Sequence, residues 1–199
     1  MRVLELFAGT GSVGAVFRER GWEVTSLDRD MDADIRSDIL DWDPAAFPPG
    51  HFDFVWASPP CTEYSKAKTI GVRKIAEANA VVERTLQAIE HLQPRFFAIE
   101  NPQTGLLKNQ PFMAALPFSD LDYCKYGMPY RKRTRLWHNT PWVPRPLCRG
   151  DCGGMQGTRH AQTAQQQSHV QYAGDRRFRR TQLYAVPRAL IEEIADAIA

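Results

Sequence analysis

The chain has 199 residues, 43% hydrophobic and 24% charged; this is enough for one α/β core and too little for two full domains, so one main domain with an appendage is expected. No apolar run approaches the ~18 residues of a membrane span, which excludes a membrane protein, and four cysteines do not make a disulfide scaffold, which points to a reducing cytoplasm. The net charge of +2 hides an asymmetry: residues 1–118 hold 12 of the 25 Lys/Arg and 16 of the 23 Asp/Glu, leaving 13 and 7 for residues 119–199. Residues 131–180 carry 11 Lys/Arg against only Asp151 and Asp175, an excess that fits contact with phosphates, with a merely solvated basic face as the alternative.

Met1 to Gly9 has a charge inside its apolar run and continues into a glycine-rich turn, so it does not read as a secretory leader. Val3–Phe7 predicts a strand, Ala8-Gly9-Thr10-Gly11-Ser12-Val13-Gly14 a turn, and the residues to about Arg20 a helix. Gly9, Gly11 and Gly14 meet the Gly-x-Gly-x-x-Gly spacing, in which glycines allow positive φ and close backbone approach and the helix start offers N–H groups to an anion. Many dinucleotide-binding proteins share that spacing. Glu23–Leu27 predicts a second strand ending in Asp28-Arg29-Asp30, and a carboxylate about 20 residues after the glycine turn suits a ribose. Asp28 is the candidate, against a capping or solvated aspartate among Asp30, Asp32 and Asp34. Asp41 and Asp43 read as surface, and Pro44–Gly50 as a loop.

Phe52–Ser65 runs from a short apolar strand into Pro59-Pro60 and then Cys61. Two prolines stiffen the turn and aim the thiol, as a nucleophile is mounted, although a free cysteine is often only a small buried hydrophobe. Thr62–Lys74 reads as a mobile polar loop in which Lys66, Lys68, Arg73 and Lys74 could hold phosphates and Gly71 could hinge. Ile75, Ala78, Val82, Leu86 and Ile89 recur at helical spacing, which predicts an amphipathic core helix from Ile75 to Leu92, stopped before Pro94. Arg95–Glu100 is then another strand, reached by a right-handed crossover. It places Glu100 at the same sheet edge as Cys61, where ligands of open parallel sheets bind.

Gln103–Asn109 reads as a loop, Pro111–Leu116 as at most a short helix, and Phe118–Tyr126 as a strand. Arg133 and Arg135 alternate so as to share one strand face. From Asn139 to Arg180 there is no core periodicity. That interval holds Cys148-x3-Cys152, His160 and His169, ligand types suited to a structural zinc, with free thiols in a nucleic-acid-facing loop as the alternative. Leu190, Ile191, Ile194 and Ile198 line one face of a last helix that starts at Pro187.

These motifs resemble the cytosine-C5 DNA methyltransferases over most of the chain. Asp53–Ser65 is similar to that family's motif IV, Phe97–Pro102 to motif VI with Pro102 where valine is usual, Glu5–Gly11 to motif I, Ser37-Asp38-Ile39 to motif III, and the helix after Tyr184 to motif X, where Tyr184 replaces the usual asparagine. Motif IX is not recognisable. Tyr126-Gly127-Met128-Pro129 is similar to the start of motif VIII, but the family's Gln-x-Arg-x-Arg appears as Tyr130-Arg131-Lys132-Arg133-Thr134-Arg135, without the glutamine. Allowing one extra residue aligns Arg133 and Arg135 with the two family arginines.

The resemblance implies an α/β fold, a Rossmann-like mostly parallel sheet with helices on both faces, plus a small basic irregular recognition segment. The divisions expected are 1–138 for catalysis, 139–180 for target recognition and 181–199 for a helix returning to the catalytic domain. S-adenosylmethionine, leaving as S-adenosylhomocysteine, would be bound through Phe7, Ala8, Gly9, Thr10, Gly11, Ser12, Asp28, Arg29, Asp38, Ile39 and Pro59. Cys61 would add to C6 of a flipped cytosine, Glu100 would hold or protonate N3, Arg135 would contact the base carbonyl, and Arg133 would position Glu100 or a phosphate. The expected partner is double-stranded DNA with a short recognition sequence, and the expected setting is a monomer in a prokaryotic or viral-host cytoplasm. An RNA methyltransferase of the same chemistry is the runner-up, and a non-catalytic binding module the third reading.

Overall fold

The computed structural model describes residues 1–164 and 180–199. In chain order the elements are β1 (Arg2–Leu6), α1 (Ser12–Glu19), β2 (Glu23–Asp28), β3 (Ile35–Arg36), β4 (Phe54–Ala57), α2 (Ile75–Leu92), β5 (Phe96–Pro102), β6 (Phe118–Asp122), β7 (Tyr130–Arg131), β8 (Arg133–His138), β9 (Met155–Gln156), β10 (Arg159–His160), β11 (Gln162–Thr163), α3 (Arg180–Tyr184) and α4 (Arg188–Ile198). Seven strands form one sheet in the order β3-β2-β1-β4-β5-β8-β6. Strands β1 to β5 run parallel, while β8 is antiparallel to both β5 and β6.

The parallel strands are apolar on both faces, as strands covered by helices on two sides must be. Val3, Phe54, Trp56, Ala98 and Leu136 face one core with α1 and α4; Leu4, Leu6, Val55, Ala57, Ile99 and Trp137 face the other with Val82, Ala88, Ile89 and Leu92 of α2. Strand alternation therefore assigns each side chain at the sheet's carboxyl edge to a layer. Glu100 pairs with Leu136 and lies on the α1/α4 side, while Asn101 pairs with Arg135 and lies on the α2 side.

The α2 helix occupies the span its periodicity predicts, and β1, α1, β2, β4 and α4 fall within a few residues of expectation. The stretch after β6 differs. Phe118–Tyr126 is a strand only as far as Asp122, and Tyr123–Tyr126 turns into a 3-10 helix closed by Gly127 at φ 90°. Beyond Asn139 the core is fed by Trp142, which is buried against Tyr126 and His138. The β9 and β10 strands form a small antiparallel pair, and β11 pairs in parallel with β7.

The α4 helix packs on α1, with Arg188 joined to Glu19 and Arg20 to Asp196. Just before it, the Val186 N–H donates to Ser12 Oγ at 3.1 Å. The C-terminal segment thus closes on the glycine turn at the start of the chain. No described helix is long and apolar enough to cross a membrane.

Candidate active site

The carboxyl ends of β1, β2, β4 and β5 line one edge of the sheet. At β1 the chain leaves through Phe7, a non-glycine residue held at φ 60°, followed by Gly9 at φ 54° and Gly11 at φ 68°. A bulky side chain in the left-handed region costs free energy and persists only where its surroundings impose it. The imposing contacts are visible: Ala8 N–H donates to Leu27 O, Gly9 N–H to Asp28 Oδ2 at 2.9 Å, and Gly14 N–H to Glu5 Oε2 at 2.9 Å. Gly14 is required for space, since an added Cβ would overlap Glu5 Oε2 and press on Val24 Cγ1. Burial pushes the Glu5 carboxyl up to about 7, against the Gly14 N–H and the Arg18 charge that favour its ionised form.

Asp28 accepts from Gly9 on one oxygen and from the Asp30 and Met31 N–H groups on the other. It therefore ties the glycine turn to the end of β2 whatever else it binds. Arg29 reaches both Asp30 and Asp38 at 3.0 Å, Ile39 is buried beneath them, and Thr10 is exposed on the turn. Gly11, beside which an added Cβ would meet nothing, a helix start and two carboxylates near the strand ends make a cradle that fits a nucleoside carrying a charged side chain.

At β4 the strand ends in Ser58, whose Oγ accepts from Trp56 Nε1 and whose N–H donates to Leu6 O. The following Pro59 carbonyl accepts from Asn101 Nδ2 at 2.9 Å, so β5 fixes the proline turn directly. Asn101 is buried, and its Oδ1 has no protein partner. Cys61 is half-buried next to Glu100. Burial pushes the Cys61 thiol up, the Glu100 charge adds to that, and Lys132 opposes it.

Glu100 itself is held from β6 and β8. Tyr123 Oη donates to Glu100 Oε1 at 2.9 Å, and Lys132 Nζ lies 3.4 Å from the same oxygen and 4.8 Å from the Tyr123 ring. Lys132 also lies 3.4 Å from Leu183 O in α3. Burial and the Glu100 charge hold the Tyr123 hydroxyl protonated, far above its ordinary range. Sequence reasoning passed over Lys132, Tyr123 and Asn101.

Arg133 and Arg135 do share a strand face, but it is the face opposite Glu100. Arg133 forms a two-pronged pair with Asp122 at 2.7 and 3.0 Å, and Arg135 does the same with Asp120 at 2.7 and 2.9 Å while stacking on Phe118. Arg133 pairs with Asp122 and does not reach Glu100, one of the two contacts expected of it; the cation at Glu100 is Lys132. The clue lay in the spacing: with no extra residue after Tyr126-Gly127-Met128-Pro129, Tyr130, Lys132 and Thr134 fall at the Gln-x-Arg-x-Arg positions. The loop after Cys61 also differs from expectation. Arg73 donates to the carbonyls of Glu63, Ser65 and Lys68, and Lys68 pairs with Glu63, so these cations hold the loop's own backbone. Its tip instead exposes Ile70 and Val72 on either side of Gly71.

Of the zinc candidates, Cys148, Cys152 and His160 come together, and the fourth member of the group is Cys124. His169 lies outside the described residues. The four ligand atoms lie within 4.8 Å of one another and could hold a metal ion.

A doubly wound sheet with a glycine turn at its first strand end, and a cysteine beside a hydrogen-bonded carboxylate at its fourth and fifth, is the arrangement of an α/β protein that binds its ligand at the carboxyl edge of the sheet. The model of the C-5 cytosine-specific DNA methylases matches residues 1–111. A Frog virus 3 protein named "Probable DNA (cytosine-5)-methyltransferase" is 35% identical, with 98% of this chain and 99% of that protein covered. This chain therefore belongs to the C-5 cytosine-specific DNA methylase family, and it is a DNA (cytosine-5)-methyltransferase that uses S-adenosylmethionine. The Type II methyltransferase M.AgeI of Thalassovita gelatinovora is 27% identical over 67% of this chain and 38% of its own length. A crystal structure of a candidate DNA modification methyltransferase from an E. coli prophage shares the fold, with TM-score 0.56 and 16% identity over 74% of this chain and 52% of that one.

Proposed function

We propose that Cys61 is the nucleophile, Glu100 the group that holds N3 and the amino group of the target cytosine, and Lys132 the cation that both positions Glu100 and draws the thiol toward thiolate. The observation that carries this reading is the cluster of Cys61, Glu100, Tyr123 and Lys132 at one sheet edge. Cytosine C5 is a weak nucleophile, and addition of a thiolate at C6 makes it an enamine able to take up a methyl group. S-adenosylmethionine supplies that methyl group as a sulfonium, and loss of the C5 proton with elimination of the Cys61 thiolate from C6 restores the ring and frees the enzyme. Phe7, Ala8, Gly9, Thr10, Gly11 and Ser12 would hold its amino-acid and adenine ends, Asp28 its ribose, Asp38 with Arg29 and Ile39 its adenine edge, and the Pro59 turn would separate it from the base. Tyr123, protonated and donating, keeps Glu100 facing the base instead of rotating away. Asn101 holds the proline turn through Pro59.

The substrate proposed is a duplex with its cytosine extruded, since the ring edge is inaccessible in a stacked pair. Ile70 and Val72 are suited to enter the space a flipped base vacates, as apolar wedges do. The division of labour is 1–138 for chemistry, 139–180 for a short target sequence and 181–199 for closing the cofactor cradle, in a monomer working in a prokaryotic or viral-host cytoplasm.

The test is incubation with labelled S-adenosylmethionine and a 5-fluorocytosine duplex covering all dinucleotides. Fluorine cannot leave C5 as a proton does, so the covalent adduct is trapped. A labelled adduct is expected with the wild type and none with Cys61→Ala. Label accepted only by folded RNA would move the substrate to RNA, and silence with both would leave a binding module.

A further inference from the structure

We infer that Cys124, Cys148, Cys152 and His160 bind one structural zinc ion, and that this ion is what fastens the recognition segment to the catalytic sheet. The donor atoms come from three separate places: the 3-10 turn after β6, the loop at 148–152, and β10. His160 Nε2 lies 3.6 Å from Cys148 Sγ and 3.2 Å from Cys152 Sγ. Zinc–sulfur bonds of ~2.3 Å and zinc–nitrogen bonds of ~2.0–2.1 Å put neighbouring donors of a tetrahedral site ~3.5–3.8 Å apart, so the group has the size of such a site. The Gly150 N–H points at Cys148 Sγ at 3.4 Å, with Gly150 at φ 87°. An amide aimed at a ligating sulfur is an outer support that orients a metal ligand.

The segment has little else to hold it. Between residues 148 and 164, Cys148 alone is fully buried among the described side chains, so it lacks the apolar core that a short excursion needs, and a metal is the usual substitute. Three attachments of its described residues lie near the ligands. Cys148 N–H donates to Asp122 Oδ2, Lys125 pairs with Asp151, and the chain leaves His160 to pair as β11 with β7. Cys124 directly follows Tyr123, whose hydroxyl holds Glu100. The ion would therefore bridge the recognition segment and the residue next to the base-binding carboxylate. Four protein ligands leave no open position for water, which makes the site structural and not hydrolytic.

The experiment is metal analysis of the purified full-length chain, with cobalt(II) titration of the metal-stripped chain and counting of alkylatable thiols. One zinc per chain is expected, with intense visible bands of tetrahedral thiolate-bound cobalt and with only Cys61 alkylated readily while metal is bound. Cys124→Ser, Cys148→Ser and His160→Ala should each lower zinc occupancy at least tenfold. His160→Cys should keep it, and His169→Ala should leave it unchanged. A folded wild type that carries no zinc and gives no tetrahedral cobalt spectrum would overturn the site. Retention of zinc by Cys124→Ser with loss in His169→Ala would overturn the ligand set. Neither result depends on methyl transfer, so the failure of this inference is separable from that of the catalytic reading.

Discussion

The charge at Cys61 is set by two neighbours of opposite sign, and their separate removal gives results that a packing role would not. Burial and Glu100 hold the thiol above its ordinary range, while Lys132 lowers it. With Cys61 as the proposed nucleophile, methylation should therefore rise with pH through the thiol's ionisation, because only a thiolate adds to the base. Lys132→Gln is expected to move this limb to higher pH and to lower the rate at neutral pH by about tenfold for each pH unit moved. Glu100→Gln should move the limb of adduct formation to lower pH while reducing the maximal rate by ~10²–10⁴-fold, the usual scale for a lost general acid. The pH dependence of adduct formation on 5-fluorocytosine DNA checks both, and equal displacement of the two limbs in one direction would contradict the assignment. Thr134, buried beside Tyr123, stands where the family pattern carries an arginine. Lys132 alone thus supplies positive charge at Glu100 among the described residues.

At the scale of elements, the β6–β8 pair separates chemistry from attachment by strand alternation. Lys132, Thr134 and Leu136 turn toward the Glu100 layer, whereas Arg133 and Arg135 turn to Asp122 and Asp120. Asp122 is fully buried, and besides Arg133 it serves Arg131 and the Cys148 N–H. Arg133→Ala would leave that carboxylate with only partial compensation, at a cost of about 3–5 kcal/mol. It should therefore lower the unfolding midpoint strongly, with activity per folded molecule reduced far less than by Lys132→Gln. Denaturant titration beside single-turnover rates measures the two effects independently. The α2 helix and the apolar strands were legible in the sequence because their side chains repeat with the period of their element and that period alone decides burial. The facing of the arginines was not, because alternation puts 133 and 135 together but only the pairing of β8 with β5 decides on which side. Cys124 was hidden for a related reason: it lies 24 residues before Cys148, beyond any local ligand spacing, and the break from strand to 3-10 helix at Tyr123 has no marker until Gly127. Cys61 and Glu100 were readable because stiff or apolar local sequence delivers each of them to the sheet edge.

For the molecule as a whole, the buried Glu5 couples stability to pH. Its carboxyl is raised to about 7 from an ordinary 4.5, so between those values the folded chain keeps a proton that the unfolded chain has released. Stability is then largest below about pH 4.5 as far as this group is concerned, falls as pH rises, and has lost on the order of 3 kcal/mol above about pH 7. Glu5→Gln retains an acceptor for the Gly14 N–H but cannot ionise. Its urea midpoint is expected to lie close to the wild type near about pH 5 and to exceed it near about pH 8; a midpoint no higher than the wild type's near about pH 8 would contradict the raised ionisation of Glu5.

The closure of Val186 on Ser12, with α4 seated on α1, also fixes an order of events at the ribosome. The β1 strand is central in the sheet and precedes the other described elements in the chain, yet the apolar face it shares with α1 is covered by Leu190, Ile191, Ile194 and Ile198 of α4, which follows every other described element. At ~5–20 residues per second, the roughly 170 residues between Ser12 and Val186 take on the order of ten to thirty seconds to translate. Throughout that interval the apolar flank and the glycine turn lack the cover that α4 and Val186 give them. A ribosome stalled before α4 would therefore hold an aggregation-prone chain, and α4 with Val186 covers the glycine turn and the apolar flank in the same step.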